Sequence, residues 1–130
     1  MSRAKSFAFV FALGIAGCSR SEPVPAEHGP AAAPAKDPQA ARALIARGAV
    51  VVDVRTADEY ADDHLPSAVN LPIQSLDRRM ADVDRLVAGD KTRPVVVYCA
   101  SGGRAAKAKQ LLEAAGYSRV TNGGGLADLR

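Results

Sequence analysis

The chain has 130 residues, of which 48% are hydrophobic, and this is enough for one small folded domain. Its net charge of +3 includes Arg3 and Lys5 near the start, and without them the balance is 15 basic against 14 acidic residues. Because no basic stripe is interleaved with aromatic residues, nucleic acid is not an expected partner.

A short apolar stretch, residues 7–16, follows the basic start of the chain. It is shorter than the about 20 apolar residues that a membrane-spanning helix needs. A basic start, a short apolar core and small residues at its end are typical of a secretory signal peptide, here residues 1–17. The alternative is an ordinary signal peptide that is followed by a cysteine, Cys18, without a special role.

The end of the apolar stretch carries a more specific pattern. Ile15-Ala16-Gly17-Cys18 resembles the lipobox of bacterial lipoproteins, in which the peptide is cut before the cysteine and the cysteine is lipidated. The resemblance implies a lipid anchor on Cys18, a membrane as partner and a periplasmic location. Ser19 stands where some lipoproteins carry an aspartate that retains them at the inner membrane, so the outer membrane is favoured.

Residues 18–36 are expected to form a linker between this cysteine and the folded domain. Ser19 to Lys36 contains four prolines and five alanines and lacks apolar periodicity. Such segments stay extended and act as tethers. An N-terminal segment without any function is the alternative.

The folded domain is expected over residues 37–130, and its first element is a helix. Asp37 suits the N-cap position, Pro38 suits the first helical position, and Gly48 is suited to end the helix. An apolar stripe at helical spacing supports the same helix: Ala40, Ala41, Leu44 and Ile45.

Two short strands with a helix between them are predicted next. The β-branched run over residues 49–54 predicts a buried strand. Thr56 and Glu59 have the spacing of a capping box, which predicts a helix over residues 56–62. Residues 69–71 predict a second short strand.

The second half of the chain alternates in the same way. Residues 75–88 carry apolar side chains at spacings of four, three and four, which predicts one amphipathic helix. Residues 95–98 predict a central strand, 104–115 a helix, and 118–121 a last strand that three glycines follow. The alternation predicts an α/β fold with a mainly parallel sheet flanked by helices on both faces.

The most informative segment lies between the strand at 95–98 and the next helix. In a parallel sheet the ligand crevice lies beyond the carboxyl ends of the strands, where Cys99 and the segment 53–55 are expected. Backbone N–H groups of a loop at a helix N-terminus favour a thiolate over a thiol, and a thiolate is a nucleophile. The loop consists of six residues: Cys99, Ala100, Ser101, Gly102, Gly103 and Arg104.

Three residues of this loop have expected tasks. Gly102 and Gly103 are expected to let the backbone curl so that its N–H groups point inward. Arg104 is expected to add a fixed positive charge beside the sulfur of Cys99.

Cysteine usage limits the chemistry further. If Cys18 is lipidated, Cys99 is the one remaining thiol, so an internal disulfide cannot form. A lone cysteine also provides too few ligands for a structural zinc site. The sequence therefore indicates neither a metal nor an organic cofactor.

Several separate segments together resemble the rhodanese family. The loop from Cys99 to Arg104 is similar to the family's active loop, Cys-x-x-Gly-x-Arg. The other matching segments are Asp53-Val54-Arg55, Glu59-Tyr60, His64-Leu65, Ala68-Val69-Asn70-Leu71-Pro72 and Val120-Thr121-Asn122-Gly123-Gly124-Gly125-Leu126.

The resemblance implies a sulfurtransferase. Cys99 would take a sulfane sulfur from a small anion such as thiosulfate, become a persulfide, and pass the sulfur to a thiol or to cyanide. The residues from Ala100 to Arg104 would bind the anion, and Asp53 and Arg55 would brace loops near the site.

Three other polar residues have roles that the sequence leaves open. Glu59 caps its helix or pairs with an arginine. His64 is favoured as a structural residue, because a cycle that starts from an ionised thiol needs no general base. Lys107, one turn beyond Gly103, approaches the pocket or is simply solvated.

Three alternatives differ from sulfur transfer. A phosphatase or arsenate reductase of the dual-specificity type uses Cys-x5-Arg, whereas four residues separate Cys99 from Arg104 here. A non-catalytic rhodanese-like module would bind a partner instead. A redox thiol would be oxidised to a sulfenic acid or a mixed disulfide.

Overall fold

A computed structural model describes residues 36–130 of the chain. The expected signal peptide, the expected lipidation site Cys18 and the expected linker up to residue 35 lie outside the described residues. The helices and strands are α1 (Pro38–Ala46), β1 (Val50–Asp53), α2 (Ala57–Asp62), β2 (Ala68–Asn70), α3 (Met80–Leu86), β3 (Val95–Cys99), α4 (Gly103–Ala114) and β4 (Val120–Gly125). Two 3₁₀ turns are also present, Leu76–Arg78 and Leu126–Leu129. No helix between residues 36 and 130 has the length and apolar character needed to cross a bilayer.

The four strands form one parallel sheet in the order β2-β1-β3-β4. The two apolar strands β1 and β3 occupy its centre, and Val51 lies beside Val96. The same register places Asp53 beside Tyr98, the residue before Cys99. The two segments that carry expected site residues therefore end side by side at the carboxyl edge of the sheet.

Helices cover both faces of the sheet, as the alternation of strands and helices predicts. On one face, Val51 and Val96 pack in a cluster with Ala41 of α1. On the other face, Val52 and Val97 pack in a cluster that includes residues of α3 and α4. Each buried valine contributes about 1.5–3 kcal/mol, so these two clusters contribute far more to stability than the exposed ion pairs do.

The starts of the first two helices confirm the predicted caps. The Asp37 carboxylate accepts a hydrogen bond from the Ala40 N–H at 2.9 Å, and Pro38 is the first residue of α1. Thr56 and Glu59 form a complete capping box at the start of α2. These bonds satisfy N–H groups that the first helical turn leaves without a partner.

The single helix predicted over residues 75–88 is wrong in its first part. A 3₁₀ turn, Leu76–Arg78, precedes α3 instead. The Asp77 carboxylate accepts a hydrogen bond from the Arg78 N–H at 3.0 Å, and such local bonds compete with regular helix. Leu76 is nevertheless buried in the same cluster as α3, so the apolar spacing predicted the buried face but not the winding.

The last strand is longer than predicted and contains the glycines that were expected to follow it. It runs from Val120 to Gly125. A Cβ atom on Gly123 would lie 3.0 Å from a methyl carbon of Leu129 and 3.2 Å from the Cβ of Ala41. The glycines therefore allow neighbouring groups to approach the strand closely, which the low strand propensity of glycine does not indicate.

Candidate active site

Cys99 lies at the junction between the central strand and the next helix. It is the last residue of β3 and is only 1% exposed. Three residues separate it from Gly103, the first residue of α4. The thiol is thus at the carboxyl edge of the sheet and at the N-terminal end of a 12-residue helix, where ligands and negative charge are favoured.

Backbone N–H groups surround the sulfur of Cys99. The Gly102 N–H donates a hydrogen bond to Sγ at 2.9 Å. Burial raises the pKa of the thiol, four backbone N–H groups lower it, and the net result is a pKa below the ordinary value. The thiolate, the nucleophilic form, is therefore favoured. The four N–H groups belong to Ala105, Ser101, Gly102 and Arg104.

Only one of the two loop glycines has the backbone conformation expected of both. Gly102 has a φ of +106°, in the left-handed region that favours glycine. Gly103 has no positive φ, because it already belongs to α4, and a Cβ atom there would meet nothing within 4 Å. The curl of the loop therefore depends on Gly102, and the expectation for Gly103 is wrong.

Asn122, which is buried in β4, ties the loop to the sheet. Its side-chain nitrogen donates to the carbonyl oxygen of Gly102 at 3.1 Å, and its side-chain oxygen accepts from the Gly124 N–H at 2.9 Å. Asp128 accepts from the Gly125 N–H at 2.9 Å just beyond. Neither Asn122 nor Asp128 is evident as a site residue from the sequence, since an asparagine before three glycines is typical of a turn.

The loop also lies directly against β4 at Gly125. A Cβ atom on Gly125 would overlap the carbonyl oxygen of Ala100. The pairing of β3 with β4 shifts register after Val97, so that Cys99 lies opposite Gly125. The loop can occupy its position only because this residue of β4 has no side chain.

Arg104 lies near the sulfur, but its charge is paired with Glu59. The guanidinium donates to both oxygens of the Glu59 carboxylate, at 2.8 and 2.9 Å. This two-bond geometry is the strongest arrangement for an arginine and a carboxylate. The pKa of Arg104 is raised, first by its hydrogen bond to Glu59 and to a lesser extent by Cys99. The positive charge is therefore within electrostatic reach of the sulfur without being free.

Glu59 joins the cap of α2 to the active loop. The sequence leaves open whether it caps its helix or pairs with an arginine, and the structure shows both. One carboxylate oxygen accepts from the Thr56 N–H at 2.9 Å as well as from Arg104 at 2.8 Å. The bond from Arg104, followed by the bond from Thr56, lowers the pKa of Glu59 to about 2. The carboxylate stays charged at neutral pH and holds the starts of α2 and α4 together.

Asp53 is fully buried, and Arg55 compensates its charge. The Arg55 side chain donates to the Asp53 carboxylate at distances between 2.7 and 3.1 Å. The same guanidinium lies 5.7 Å from the ring centroid of Tyr98 and donates to the carbonyl oxygen of Asp63. These contacts connect the end of β1 with β3 and with the segment after α2, which fits the bracing role that the resemblance implies.

His64 is held in place by two contacts with Tyr60. Its ring stacks on the ring of Tyr60, with the centroids 3.8 Å apart. Nδ1 lies 2.8 Å from the carbonyl oxygen of Tyr60 and donates to it, because a carbonyl can only accept. This arrangement favours the structural role.

Lys107 lies at a pocket beside the active loop. The pocket has a volume of about 300 Å³ and is lined by Ile73, Gln74, Gly103, Arg104 and Lys107. Lys107 lines this pocket and is also exposed to solvent, so the structure shows both of the positions that the sequence leaves open.

Residues 37–127 of the chain match the rhodanese-like domain. The matched residues include the whole active loop, from Cys99 to Arg104, and all four strands of the sheet. The chain belongs to the rhodanese-like family. The resemblance drawn from the separate motifs is therefore confirmed, as is the predicted α/β fold with its parallel sheet.

This rhodanese-like chain is similar to characterised proteins and solved structures. It is 36% identical over 78 residues to the thiosulfate sulfurtransferase PspE of Escherichia coli (strain K12), covering 60% of this chain and 71% of PspE. It is 30% identical over 79 residues to the thiosulfate:glutathione sulfurtransferase of Saccharomyces cerevisiae, covering 55% of this chain and 57% of the yeast protein. A solved structure of a rhodanese with anions from E. coli has a TM-score of 0.54 and 36% identity, covering 60% of this chain and 87% of that one.

We expect Gly125→Ala to lower the free energy of unfolding by about 2–3 kcal/mol, because the added methyl group forces β4 and the active loop apart. Gly103→Ala is the matched control. A Cβ atom there has open space, and alanine is the better helix residue, so its stability should equal or exceed that of the unchanged chain. Urea unfolding followed by circular dichroism measures both. Equal stability of the two variants would contradict the close packing of β4 on the loop.

Proposed function

We propose that this rhodanese-like chain is a thiosulfate sulfurtransferase that carries sulfane sulfur on Cys99 as a persulfide. The observation that supports this most is the buried sulfur of Cys99, to which a loop N–H donates and whose pKa the loop amides lower. The two curated relatives described above are both named as sulfurtransferases that use thiosulfate.

In the first half-reaction, the Cys99 thiolate attacks the outer sulfur of thiosulfate. A new S–S bond forms on Sγ, the S–S bond of thiosulfate breaks, and its electron pair leaves with sulfite. The donor is a dianion that approaches an anion, so preorganised N–H groups must offset the repulsion. The amide of Gly102 is already directed at Sγ, at 2.9 Å.

In the second half-reaction, a thiol or cyanide takes the outer sulfur from Cys99. The acceptor thiolate forms a bond to that sulfur, the S–S bond on Cys99 breaks, and the electron pair returns to Sγ as a thiolate. The enzyme is then ready for the next donor. The same loop amides that favour the thiolate also favour an anionic persulfide.

Neither step requires a general base from the protein. The attacking group of the first step is a thiol whose pKa is already below its ordinary value. His64, the nearest histidine by sequence, uses Nδ1 for its bond to Tyr60. We therefore assign catalysis to Cys99 and the loop, with Glu59, Asp53 and Arg55 as positioning residues.

Two features weigh against a phosphatase or arsenate reductase. The loop has one residue fewer than the Cys-x5-Arg loop that binds a tetrahedral oxyanion. Arg104, which would hold that oxyanion, is engaged by both oxygens of Glu59.

The location of the enzyme is a separate part of the proposal. We propose cleavage after residue 17, a lipid anchor on Cys18 and a linker over residues 18–36 that holds the domain at the periplasmic side of a membrane. This rests on the sequence pattern at Ile15-Ala16-Gly17-Cys18. Incorporation of labelled palmitate that Cys18→Ala abolishes would support the anchor, and equal labelling of both chains would contradict it.

Incubation with thiosulfate followed by intact mass measurement tests the proposed activity. We expect the reduced chain to gain the mass of one sulfur atom, and Cys99→Ser to gain none. A folded, reduced chain that gains no mass would contradict the proposal and favour the partner-binding module. Release of the added sulfur by cyanide would complete the cycle.

A further inference from the structure

A small pocket lies beside the active loop and differs from the sulfur site itself. Its lining includes Gly103 and Arg104, the last two residues of the loop, whereas Cys99 is not part of the lining. A volume of about 300 Å³ is at the small end of the range for ligand pockets. The pocket therefore suits a small molecule rather than a protein segment.

The charges around this pocket are unequal. Arg104 is paired with Glu59 through two hydrogen bonds, so its charge is largely compensated. Lys107 is exposed, and among residues 36–130 no carboxylate lies within 4.0 Å of its ammonium group. Lys109, on the same helix, contrasts with it because it pairs with Glu113. Lys107 therefore supplies the uncompensated positive charge of the pocket.

The other walls add one apolar and one polar surface. Ile73 provides an apolar side chain, and Gln74 provides an amide that both donates and accepts hydrogen bonds. A ligand that fits these walls has a short apolar part, a polar group that can form a hydrogen bond with Gln74, and a negative charge.

We propose that Lys107 is a specificity-determining residue that selects negatively charged low-molecular-weight thiols as sulfur acceptors. The inference rests on the proposed function, since it concerns the second half-reaction on Cys99. A molecule held at Lys107 must extend past Gly103 and Arg104 to reach the sulfur. An acceptor whose carboxylate and thiol lie several atoms apart meets this requirement better than a compact anion does.

The step itself is a transfer of one sulfur atom. The acceptor thiolate attacks the outer sulfur of the Cys99 persulfide, and a new S–S bond forms on the acceptor. The S–S bond on Cys99 breaks, its electron pair stays on Sγ as a thiolate, and the outer sulfur leaves with its negative charge as part of the acceptor persulfide. The acceptor carboxylate meanwhile lies against the Lys107 ammonium and takes no part in bond exchange.

The experiment isolates the second half-reaction. The full chain is loaded with sulfur from thiosulfate, desalted, and mixed with either glutathione or glutathione diethyl ester, which has the same skeleton without the carboxylate charges. The rate constant for sulfur transfer to each acceptor is measured by rapid quench and mass spectrometry. The variants are Lys107→Gln and Lys107→Glu, with Lys109→Gln as the matched control on the same helix.

The decisive quantity is the ratio of the rate constant with glutathione to that with its ester. An exposed ion pair is weak, so we expect the ratio to fall about threefold in Lys107→Gln and about tenfold in Lys107→Glu. Lys109→Gln should keep the ratio of the unchanged chain, and higher salt should lower that ratio towards the value in Lys107→Gln.

Two failures are distinguishable. If both Lys107 variants are loaded with sulfur but keep the ratio of the unchanged chain, this inference alone is overturned. A chain that takes up no sulfur on Cys99 would overturn the proposed function together with it.

Discussion

The hydrogen bonds from loop N–H groups to the sulfur of Cys99 are the interactions on which the rest of the site depends. They exist because the loop curls at Gly102, where a left-handed φ turns the chain into α4 and where the N–H donates to Sγ. The curl is held from outside by β4, where Asn122 accepts from one strand residue and donates to the carbonyl oxygen of Gly102. Burial alone would raise the pKa of the thiol, so the direction of the net shift depends on how well these amides are held.

Much of the fold was predictable because its signals are local. The cap at Asp37, the capping box of Thr56 and Glu59, and the apolar runs of β1 and β3 each act within a few residues. The error in the last strand arose where contacts between distant segments override local preference. Residues 123–125 continue the strand despite the low strand propensity of glycine, and Leu129, Ala41 and the active loop fill the space that side chains would need.

The candidate site also has a local part that the sequence predicts and a part that depends on distant residues. The loop from Cys99 to Arg104 is contiguous, so its chemistry was evident from the sequence. The partners that hold it are distant: Glu59 is 45 residues from Arg104, and Asn122 is 20 residues from Gly102. The sequence predicts Arg104 as a fixed charge beside the sulfur, whereas its pairing with Glu59 leaves the loop amides as the main stabilisers of negative charge there.

The most direct test of this account is a titration of the Cys99 thiolate by its ultraviolet absorbance, with Cys99→Ser as the blank. In the unchanged chain the pKa should lie below the ordinary value of a cysteine thiol. In Asn122→Ala, where the loop loses its tie to β4 but every residue of the loop is kept, the pKa should rise towards that value while circular dichroism remains native. An unchanged pKa in a folded Asn122→Ala chain would contradict the claim that the held loop amides ionise the thiol.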